Sequence, residues 1–247
     1  MISLENHIAL VTGASGDIGR AVAITLASLG ADVYIHYNKS LAGAEATARE
    51  VRKKGRRSFL VSADLSNHQE IKQMFEYIDR QTGALDILVN NAGVWRSSYV
   101  KSLGEEEWDS VLATNLKGAF LCSKYSMKKL IRSENASIVN VSSIAATNAM
   151  VGQLSYSVSK AGLISMTKSL AKEFGVFKIR VNAVAPGPVR TQMREIDDEE
   201  EKRLSKLIPL KRIAEPEDVA NAIAYFCTPM AKYITGQIMF VDGGLSL

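Results

Sequence analysis

Long apolar runs, clustered cysteines and a basic stripe are all missing from this sequence. No stretch approaches the length of a membrane-spanning helix, and residues 1–10 lack the basic and apolar regions of a signal peptide, so we expect neither. The only two cysteines, Cys122 and Cys227, both lie in apolar helical patterns. This placement predicts buried thiols in a reducing, cytoplasmic compartment rather than a disulfide. Three histidines without ligand spacing predict no metal site.

The charged residues also exclude one class of partner. Acids and bases are interspersed, so the formal net charge of +4 forms no stripe of the kind that nucleic acids need. The densest basic cluster is more typical of a solvated helix face than of a phosphate track; it consists of Lys124, Lys128, Lys129 and Arg132. With 247 residues and no linker, repeat or low-complexity tract, the chain is long enough for one domain with a large core, residues 1–247.

Strand-like and helix-like segments alternate along the whole chain, which predicts an α/β fold. We expect a single-domain, doubly wound (Rossmann) parallel sheet of about seven strands with helices on both faces. The charged segment 190–210 is predicted to be irregular, and residues 187–210 to act as a substrate lid. The predicted strands are 8–12, 33–37, 58–62, 85–89, 138–142, 179–184 and 237–241, with helices near 18–29, 40–54, 64–82, 105–113, 116–133, 154–174 and 216–228.

The stretch 143–160 carries three side chains that suit carbonyl chemistry. Tyr156 and Lys160 are four residues apart in a helix-prone segment, so both lie on one helix face. A free tyrosine has a pKa of about 10, and a neighbouring lysine cation is expected to lower it. Ser143 follows the predicted fifth strand and offers a hydroxyl to a substrate carbonyl. Together they predict ketone–alcohol interconversion, provided that a hydride carrier binds alongside.

Two segments near the start of the chain predict where that carrier binds. The turn at residues 12–19 is rich in glycine and leads from a strand into a helix, a context typical of pyrophosphate binding; its glycines could also serve only a tight turn. The second strand ends in Tyr37, Asn38, Lys39 and Ser40, without the acid that binds the ribose of NAD. This favours NADP(H) and leaves NAD(H) possible, since Lys39 could also be a solvated lysine.

These motifs together resemble the short-chain dehydrogenase/reductase family over the whole chain, and the tail at 209–220 and 233–237 resembles its 3-oxoacyl-acyl-carrier-protein reductase branch. The resemblance implies a catalytic set of Asn115, Ser143, Tyr156 and Lys160. The implied cofactor-binding set is Gly13, Ser15, Asp17, Ile18, Gly19, Asn38, Lys39, Ser40, Asp64, Leu65, Asn91, Ala92, Gly93, Tyr156, Lys160, Pro186, Gly187, Val189 and Thr191. The matching motifs are the turn at 12–19, Asp64-Leu65, residues 90–93, Asn115, Ser143, the Tyr156/Lys160 pair, Pro186-Gly187 with Thr191, and residues 241–244.

The family also implies a role for several matched positions. Asp64 would bind the adenine, and Asn90 with Gly93 would line the adenosine and ribose side. Asn115 would hold a water that relays protons from Lys160. Lys160 would also bind the nicotinamide ribose, Thr191 would meet the nicotinamide or pyrophosphate end, Ser143 would orient the carbonyl and Tyr156 would pass the proton.

The glycine-rich turn departs from the family pattern at one position. The family's second glycine falls at position 17, where this chain has Asp17, with Gly16 one place earlier. Asp17 could cap the following helix or repel the pyrophosphate. The repulsion hypothesis predicts that Asp17→Gly tightens cofactor binding.

The substrate is less determined than the reaction. A 3-oxoacyl thioester on acyl carrier protein is the first choice, with a sugar, polyol or other alcohol as the alternative. Carrier-protein reductases of the family dock an acidic partner through arginines, but Glu134 and Phe177 stand at those places, with Arg132 and Lys178 near. A non-catalytic dinucleotide-binding module or a methyltransferase would not need the Tyr156/Lys160 pair. The family further implies a homotetramer, and Trp95, Met150 and Met193 are candidate pocket residues.

Overall fold

The computed structural model describes residues 3–193 and 196–247. Within these ranges, seven parallel strands form one sheet in the order β3-β2-β1-β4-β5-β6-β7. This is the predicted doubly wound architecture. The strands are β1 (Ile8–Val11), β2 (Asp32–Tyr37), β3 (Ser58–Ser62), β4 (Ile87–Asn90), β5 (Ser137–Val141), β6 (Arg180–Pro186) and β7 (Ile238–Val241).

Eight α-helices connect the strands within the described residues. They are α1 (Asp17–Ser28), α2 (Leu41–Lys53), α3 (His68–Gln81), α4 (Glu105–Leu112), α5 (Gly118–Leu130), α6 (Leu154–Phe174), α7 (Asp198–Leu207) and α8 (Pro216–Cys227). A π-helical turn, Ala113–Lys117, joins α4 to α5. Most predicted bounds differ by one or two residues, and α6 has the predicted bounds. No helix among the described residues is long and apolar enough to cross a bilayer.

Alternate residues of each strand supply the cores on the two faces of the sheet. In β2, Val33 and Ile35 pack with α1, α2 and α8, whereas Tyr34 packs with α3 on the opposite side. In β4, Val89 packs in the same core as Val33 and Ile35, and Leu88 packs in the same core as Tyr34. Side chains of a strand point alternately to its two faces, so a strand covered on both faces is apolar throughout. This explains why the strands appear in the sequence as continuous apolar runs.

The prediction that residues 190–210 are irregular was wrong for residues 198–207, while Arg194 and Glu195 lie outside the described residues. Residues Asp198–Leu207 form α7, with Asp197 as N-cap, its side chain accepting a hydrogen bond from the amide of Glu200. Four acids occupy the first turn, where they complement the helix dipole. Leu204 packs with Ile208 and Ile213 in a small third core. Few apolar positions separate these charges, which is why the helical pattern was missed.

One lysine of the predicted solvated cluster is buried. Lys129 is only 6% exposed, and its ammonium group lies 2.9 Å from a carboxylate oxygen of Asp79 and over the ring of Phe75. The other three members of the cluster, Lys124, Lys128 and Arg132, are exposed. Both cysteines are free and buried, as predicted.

Candidate active site

The strand order reverses between β1 and β4, and a large cleft opens at the carboxyl ends of the strands on both sides of that point. Ligands of doubly wound sheets bind at such a reversal. The cleft has a volume of about 1340 Å³. All of the predicted cofactor-binding residues line it, together with Ser143, Tyr156 and Lys160 of the predicted catalytic set.

Two glycines allow the backbone to pass closely through the turn after β1. Gly13 has a φ of +65°, and a Cβ there would lie 2.9 Å from the Cα of Ala92. A Cβ on Gly19 would lie 2.3 Å from the carbonyl oxygen of Gly13 and 2.6 Å from the side-chain nitrogen of Asn91. No side chain caps the start of α1, where Gly16 is the N-cap residue. The closely packed turn thus forms a backbone cradle beside first-turn amides, which fits a dinucleotide pyrophosphate.

Thr12 and Asn91 brace this turn from the neighbouring strand end. The Thr12 hydroxyl accepts hydrogen bonds from the amides of Asn91 (2.9 Å) and Ala92 (3.0 Å). The Asn91 amide group donates to the carbonyl of Thr12 at 2.8 Å and to that of Gly13 at 3.3 Å. The residues after β4 are therefore held against the glycine turn, and both segments line the cleft.

Asp17 does not cap α1. It is the first residue of the helix, and its carboxylate accepts a hydrogen bond of 2.7 Å from the amide of Gln192, in the segment that follows β6. The side chain thus links the glycine turn to the 187–210 segment. The alternative of pyrophosphate repulsion stays a prediction, because the carboxylate lines the same cleft.

We expect Asp17→Gly to lower the dissociation constant for the dinucleotide by about three- to tenfold, because a screened charge near a pyrophosphate costs about 1 kcal/mol. Asp17→Asn is the matched variant, since its amide oxygen keeps an acceptor for Gln192 without the charge. Both variants should bind more tightly in calorimetric titration, and the gain should shrink at high salt. An unchanged or weaker affinity in both would refute repulsion.

The residues predicted for the adenosine side meet at the ends of β2 and β3. Asn38, Lys39 and Ser40 follow β2, and Asp64 follows β3; all four line the cleft. Hydrogen bonds from the hydroxyl and amide of Ser66 lower the pKa of Asp64, with Asn38 and the charge of Lys39 contributing in the same direction. Asp64 is therefore a carboxylate acceptor at the base of this half of the cleft.

Ser143, Tyr156 and Lys160 meet at the other end of the cleft. Ser143 follows β5 and hydrogen-bonds to Tyr156. The Lys160 ammonium group lies 5.5 Å from the centre of the Tyr156 ring and donates a 2.8 Å hydrogen bond to the carbonyl of Val141. The sequence pattern thus predicted a genuine spatial cluster.

The expected pKa shift of the tyrosine differs from that in the structure. Burial raises the pKa of Tyr156, and the hydrogen bond with Ser143 opposes this shift. Burial lowers the pKa of Lys160 to about 8. The sequence-based expectation of a lowered tyrosine pKa assumed that the ammonium group would dominate, but it is held beneath the ring on a backbone carbonyl.

Asn115 is the one predicted catalytic residue whose side chain does not line the cleft. It is buried in the π-helical turn, where its oxygen accepts from the amide of Val94 (2.8 Å) and its nitrogen donates to the carbonyl of Val94 (2.9 Å) and the hydroxyl of Ser159 (3.1 Å). The side chain therefore positions the loop that begins at Gly93. The proton-relay role stays a prediction.

Asn90 was expected on the adenosine side, but its side chain points into the core. It is 3% exposed and donates to Asn140 (2.8 Å) and Ser123 (3.1 Å). The neighbouring residues Asn91, Ala92 and Gly93 do line the cleft. Successive side chains along a strand point to opposite faces, so Asn90 and Asn91 point in different directions. The motif alone does not indicate which of the two faces the cleft.

The remaining predicted residues come from the segment after β6. Pro186, Gly187, Val189 and Thr191 line the cleft opposite the glycine turn. A Cβ on Gly187 would lie 2.8 Å from the Cα of Asp242, so this chain crossing also requires glycine.

Two features of the site were missed from the sequence. His36 lines the cleft beneath the glycine turn, although the histidines were considered only as metal ligands. Arg190 makes a bidentate ion pair with Glu201 of α7, at 2.7 and 2.9 Å, and contacts Glu215 at 3.2 Å. The position of His36 near the end of a predicted strand was the available signal that it lines the cleft. Nothing in the sequence spacing indicates the ion pairs of Arg190.

Comparisons with known proteins agree with this geometry. The family model described as enoyl-(acyl carrier protein) reductase matches residues 13–246. The chain belongs to the short-chain dehydrogenase/reductase family. Among its relatives, the 3-oxoacyl-acyl-carrier-protein reductase of Staphylococcus aureus is 41% identical over 96% of this chain and 97% of its own length. The corresponding reductase of Aquifex aeolicus is 42% identical over 99% of both chains.

A solved structure extends the likeness to the cofactor. The short-chain dehydrogenase of Burkholderia cenocepacia, solved in complex with NADP, is 33% identical and superposes with a TM-score of 0.94 over 99% of both chains. The present chain is accordingly an oxidoreductase of this family.

Proposed function

We propose that this protein is an NADP(H)-dependent reductase of 3-oxoacyl thioesters carried on acyl carrier protein. The observation that carries the proposal is the likeness to 3-oxoacyl-acyl-carrier-protein reductases, which exceeds 40% identity over nearly the whole of both chains. The catalytic cluster and the glycine cradle lie in one cleft, as such a reaction requires.

The wall of the cleft beside Tyr156 supports an acyl substrate. Trp95, Met150, Val151 and Met193 line the cleft, and the last three are 47, 82 and 53% exposed. Exposed apolar side chains at a pocket mouth gain free energy when an alkyl chain covers them. A sugar or polyol would instead leave its hydroxyls against apolar atoms, with unpaired polar groups as the cost. We therefore rank the sugar or polyol alternative second.

The side chains have distinct roles in the proposed reaction. The Ser143 hydroxyl donates a hydrogen bond to the substrate carbonyl and holds it beside Tyr156. The Tyr156 hydroxyl gives its proton to that oxygen as negative charge develops there, and the Lys160 ammonium group stabilises the resulting phenolate. A dinucleotide held by the glycine turn and the segment after β6 would supply the hydride. The raised pKa of Tyr156 suits it as a proton donor, because its protonated form then predominates at neutral pH.

Lys39 is the residue through which we expect the protein to prefer NADP(H). It lines the cleft where no strand-end acid is present to bind a ribose diol. Lys39→Met should weaken NADPH binding by about ten- to a hundredfold and leave NADH binding unchanged, because only NADPH carries the 2′-phosphate. Lys54→Met removes the same charge from an exposed position outside the cleft and is the control. Equal loss for both cofactors, or none, would contradict the assignment.

We also propose that the 187–210 segment closes over the substrate. α7 lies in this segment, and Leu204 and Arg203 line the cleft.

We further propose that the protein is a cytoplasmic homotetramer. Apolar residues remain exposed on α5 (Phe120) and α6 (Leu154, Val158). Such faces are typical of interfaces between identical subunits. Light scattering coupled to size exclusion tests the tetramer.

The assay that tests the function follows NADPH and NADH oxidation side by side. The substrates are a 3-oxooctanoyl thioester on acyl carrier protein, the same acyl group on coenzyme A, and a free keto-sugar. We expect turnover of both thioesters with NADPH. Because Glu134 and Phe177 occupy the places of docking arginines, with exposed Arg132 and Lys178 adjacent, the preference for the carrier-bound form should be modest. Turnover of the keto-sugar alone would overturn the proposal in favour of a sugar dehydrogenase.

A further inference from the structure

His36 joins two loops that line the same half of the cleft. It lies in β2 and is 2% exposed. Its Nδ1 atom accepts a hydrogen bond from the amide of Gly13 at 3.0 Å, and its Nε2 atom lies 3.0 Å from the carbonyl oxygen of Ala63. Gly13 belongs to the glycine turn, and Ala63 immediately precedes Asp64. The imidazole is thus a crosslink between the β1–α1 and β3–α3 connections.

The two partners determine the tautomer of the ring. A backbone amide can only donate and a carbonyl can only accept, so Nδ1 is unprotonated and Nε2 carries the hydrogen. Burial lowers the pKa of His36 to about 4, opposed by the hydrogen bond to Ala63 and by the nearby Asp64 carboxylate. The ring is therefore neutral at physiological pH, and the crosslink is intact.

The backbone of β2 contacts the same two loops. The carbonyl of His36 accepts from the amide of Ala14 at 2.8 Å, and the carbonyl of Tyr37 accepts from the amide of Ala63 at 3.1 Å. Each loop thus has one backbone bond and one imidazole bond to β2. Rigid docking of both loops fixes the distance between the glycine turn and Asp64. Gly13, Ala63, Asp64 and His36 itself all line the cleft.

We propose that His36 is a positioning residue for the adenosine half of the cofactor: its imidazole holds the glycine turn and the β3–α3 connection at the spacing that this half requires. The proposal rests on the dinucleotide site and on the cofactor part of the proposed function. It is independent of which carbonyl compound is reduced. A preformed site does not pay for ordering these loops on binding, so loss of the crosslink should appear mainly as weaker cofactor affinity.

The test compares His36→Phe, which removes both bonds, with the parent protein. Calorimetry measures the dissociation constants of NADPH and of reduced nicotinamide mononucleotide, which lacks the adenosine half. We expect His36→Phe to weaken NADPH binding about tenfold and to leave mononucleotide binding unchanged, because two neutral hydrogen bonds are lost and part of this loss falls on binding. In the oxidation assay, the KM for NADPH should rise while kcat at saturating NADPH stays unchanged.

A matched control lies on the same strand. Tyr34 is fully buried two residues earlier, and its hydroxyl is 3.0 Å from that of Thr82, outside the cleft. Tyr34→Phe should lower the melting temperature without changing the NADPH affinity. Equal effects of His36→Phe and Tyr34→Phe on affinity, or an NADPH affinity of His36→Phe within twofold of the parent, would overturn the proposal.

Two conservative variants keep the proposal testable if His36→Phe fails to fold. Asn at position 36 places an amide oxygen near the former Nδ1 and can still accept from Gly13, whereas its shorter side chain does not reach Ala63. Gln reaches Ala63 but leaves the Gly13 amide without its acceptor. We expect His36→Asn to retain more NADPH affinity than His36→Gln, since Gly13 belongs to the cradle itself. The reverse order would refute the assigned geometry. A protein that binds NADPH as expected but reduces no thioester would refute the substrate assignment alone.

Discussion

Tyr156→Phe should lower kcat by about a hundred- to ten-thousandfold and leave the NADPH dissociation constant unchanged. The substitution removes only the hydroxyl to which we assign the proton transfer, and general acid catalysis contributes a factor of this size. The ring remains to pack over the Lys160 ammonium group, 5.5 Å from the ring centre, so the fold and the lysine position should be retained. Steady-state NADPH oxidation with the 3-oxooctanoyl thioester measures kcat.

The control is Tyr125→Phe. This hydroxyl bonds to His68, outside the cleft, so its loss removes a tyrosine hydroxyl without touching the catalytic cluster. Its kcat should equal that of the parent. If Tyr156→Phe turned over at a rate within threefold of the parent, the proton would have another donor and the proposed roles would be wrong.

Gly19→Ala should weaken cofactor binding by about five- to 150-fold and lower the melting temperature. The new Cβ would lie 2.3 Å from the Gly13 carbonyl oxygen, well inside van der Waals contact. That carbonyl cannot retreat freely, because the Gly13 amide is bonded to His36 and the following amide of Ala14 to the His36 carbonyl. Overpacking costs about 1–3 kcal/mol, which corresponds to about a five- to 150-fold loss of affinity if the turn bears the distortion.

Gly175→Ala is the matched variant for this prediction. It makes the same chemical change at the end of α6, where φ is −58° and a Cβ would meet nothing within 4 Å. Its affinity and melting temperature should stay close to those of the parent. Calorimetric titration with NADPH and a thermal melt distinguish the two variants, and equal behaviour would show that the close approach at Gly19 does not constrain the turn.

The sequence predicted much of the fold because its local signals agree with its tertiary structure. Strands buried on both faces read as apolar runs, and most helices follow a capping residue or a turn. It failed at α7, where a charged helix has few core contacts, and at Lys129, whose burial depends on Asp79 of a distant helix. Both errors have one cause: packing partners far along the chain decide whether a polar segment is ordered or a charge is buried.

The reaction class followed from the sequence alone, because the spacing of Tyr156 and Lys160 on one helix and the glycine turn between strand and helix are local features. The tertiary structure decided which side chains face the cleft. It turned Asn90 into the core, engaged Asn115 with Val94, joined Asp17 to Gln192 and placed His36 between two loops. These hydrogen bonds join residues that lie between 21 and 175 positions apart in the sequence. The burial of Asn90 also depends on the direction in which its strand side chain points. Long-range hydrogen-bond partners leave no local pattern, so only the folded chain defines them.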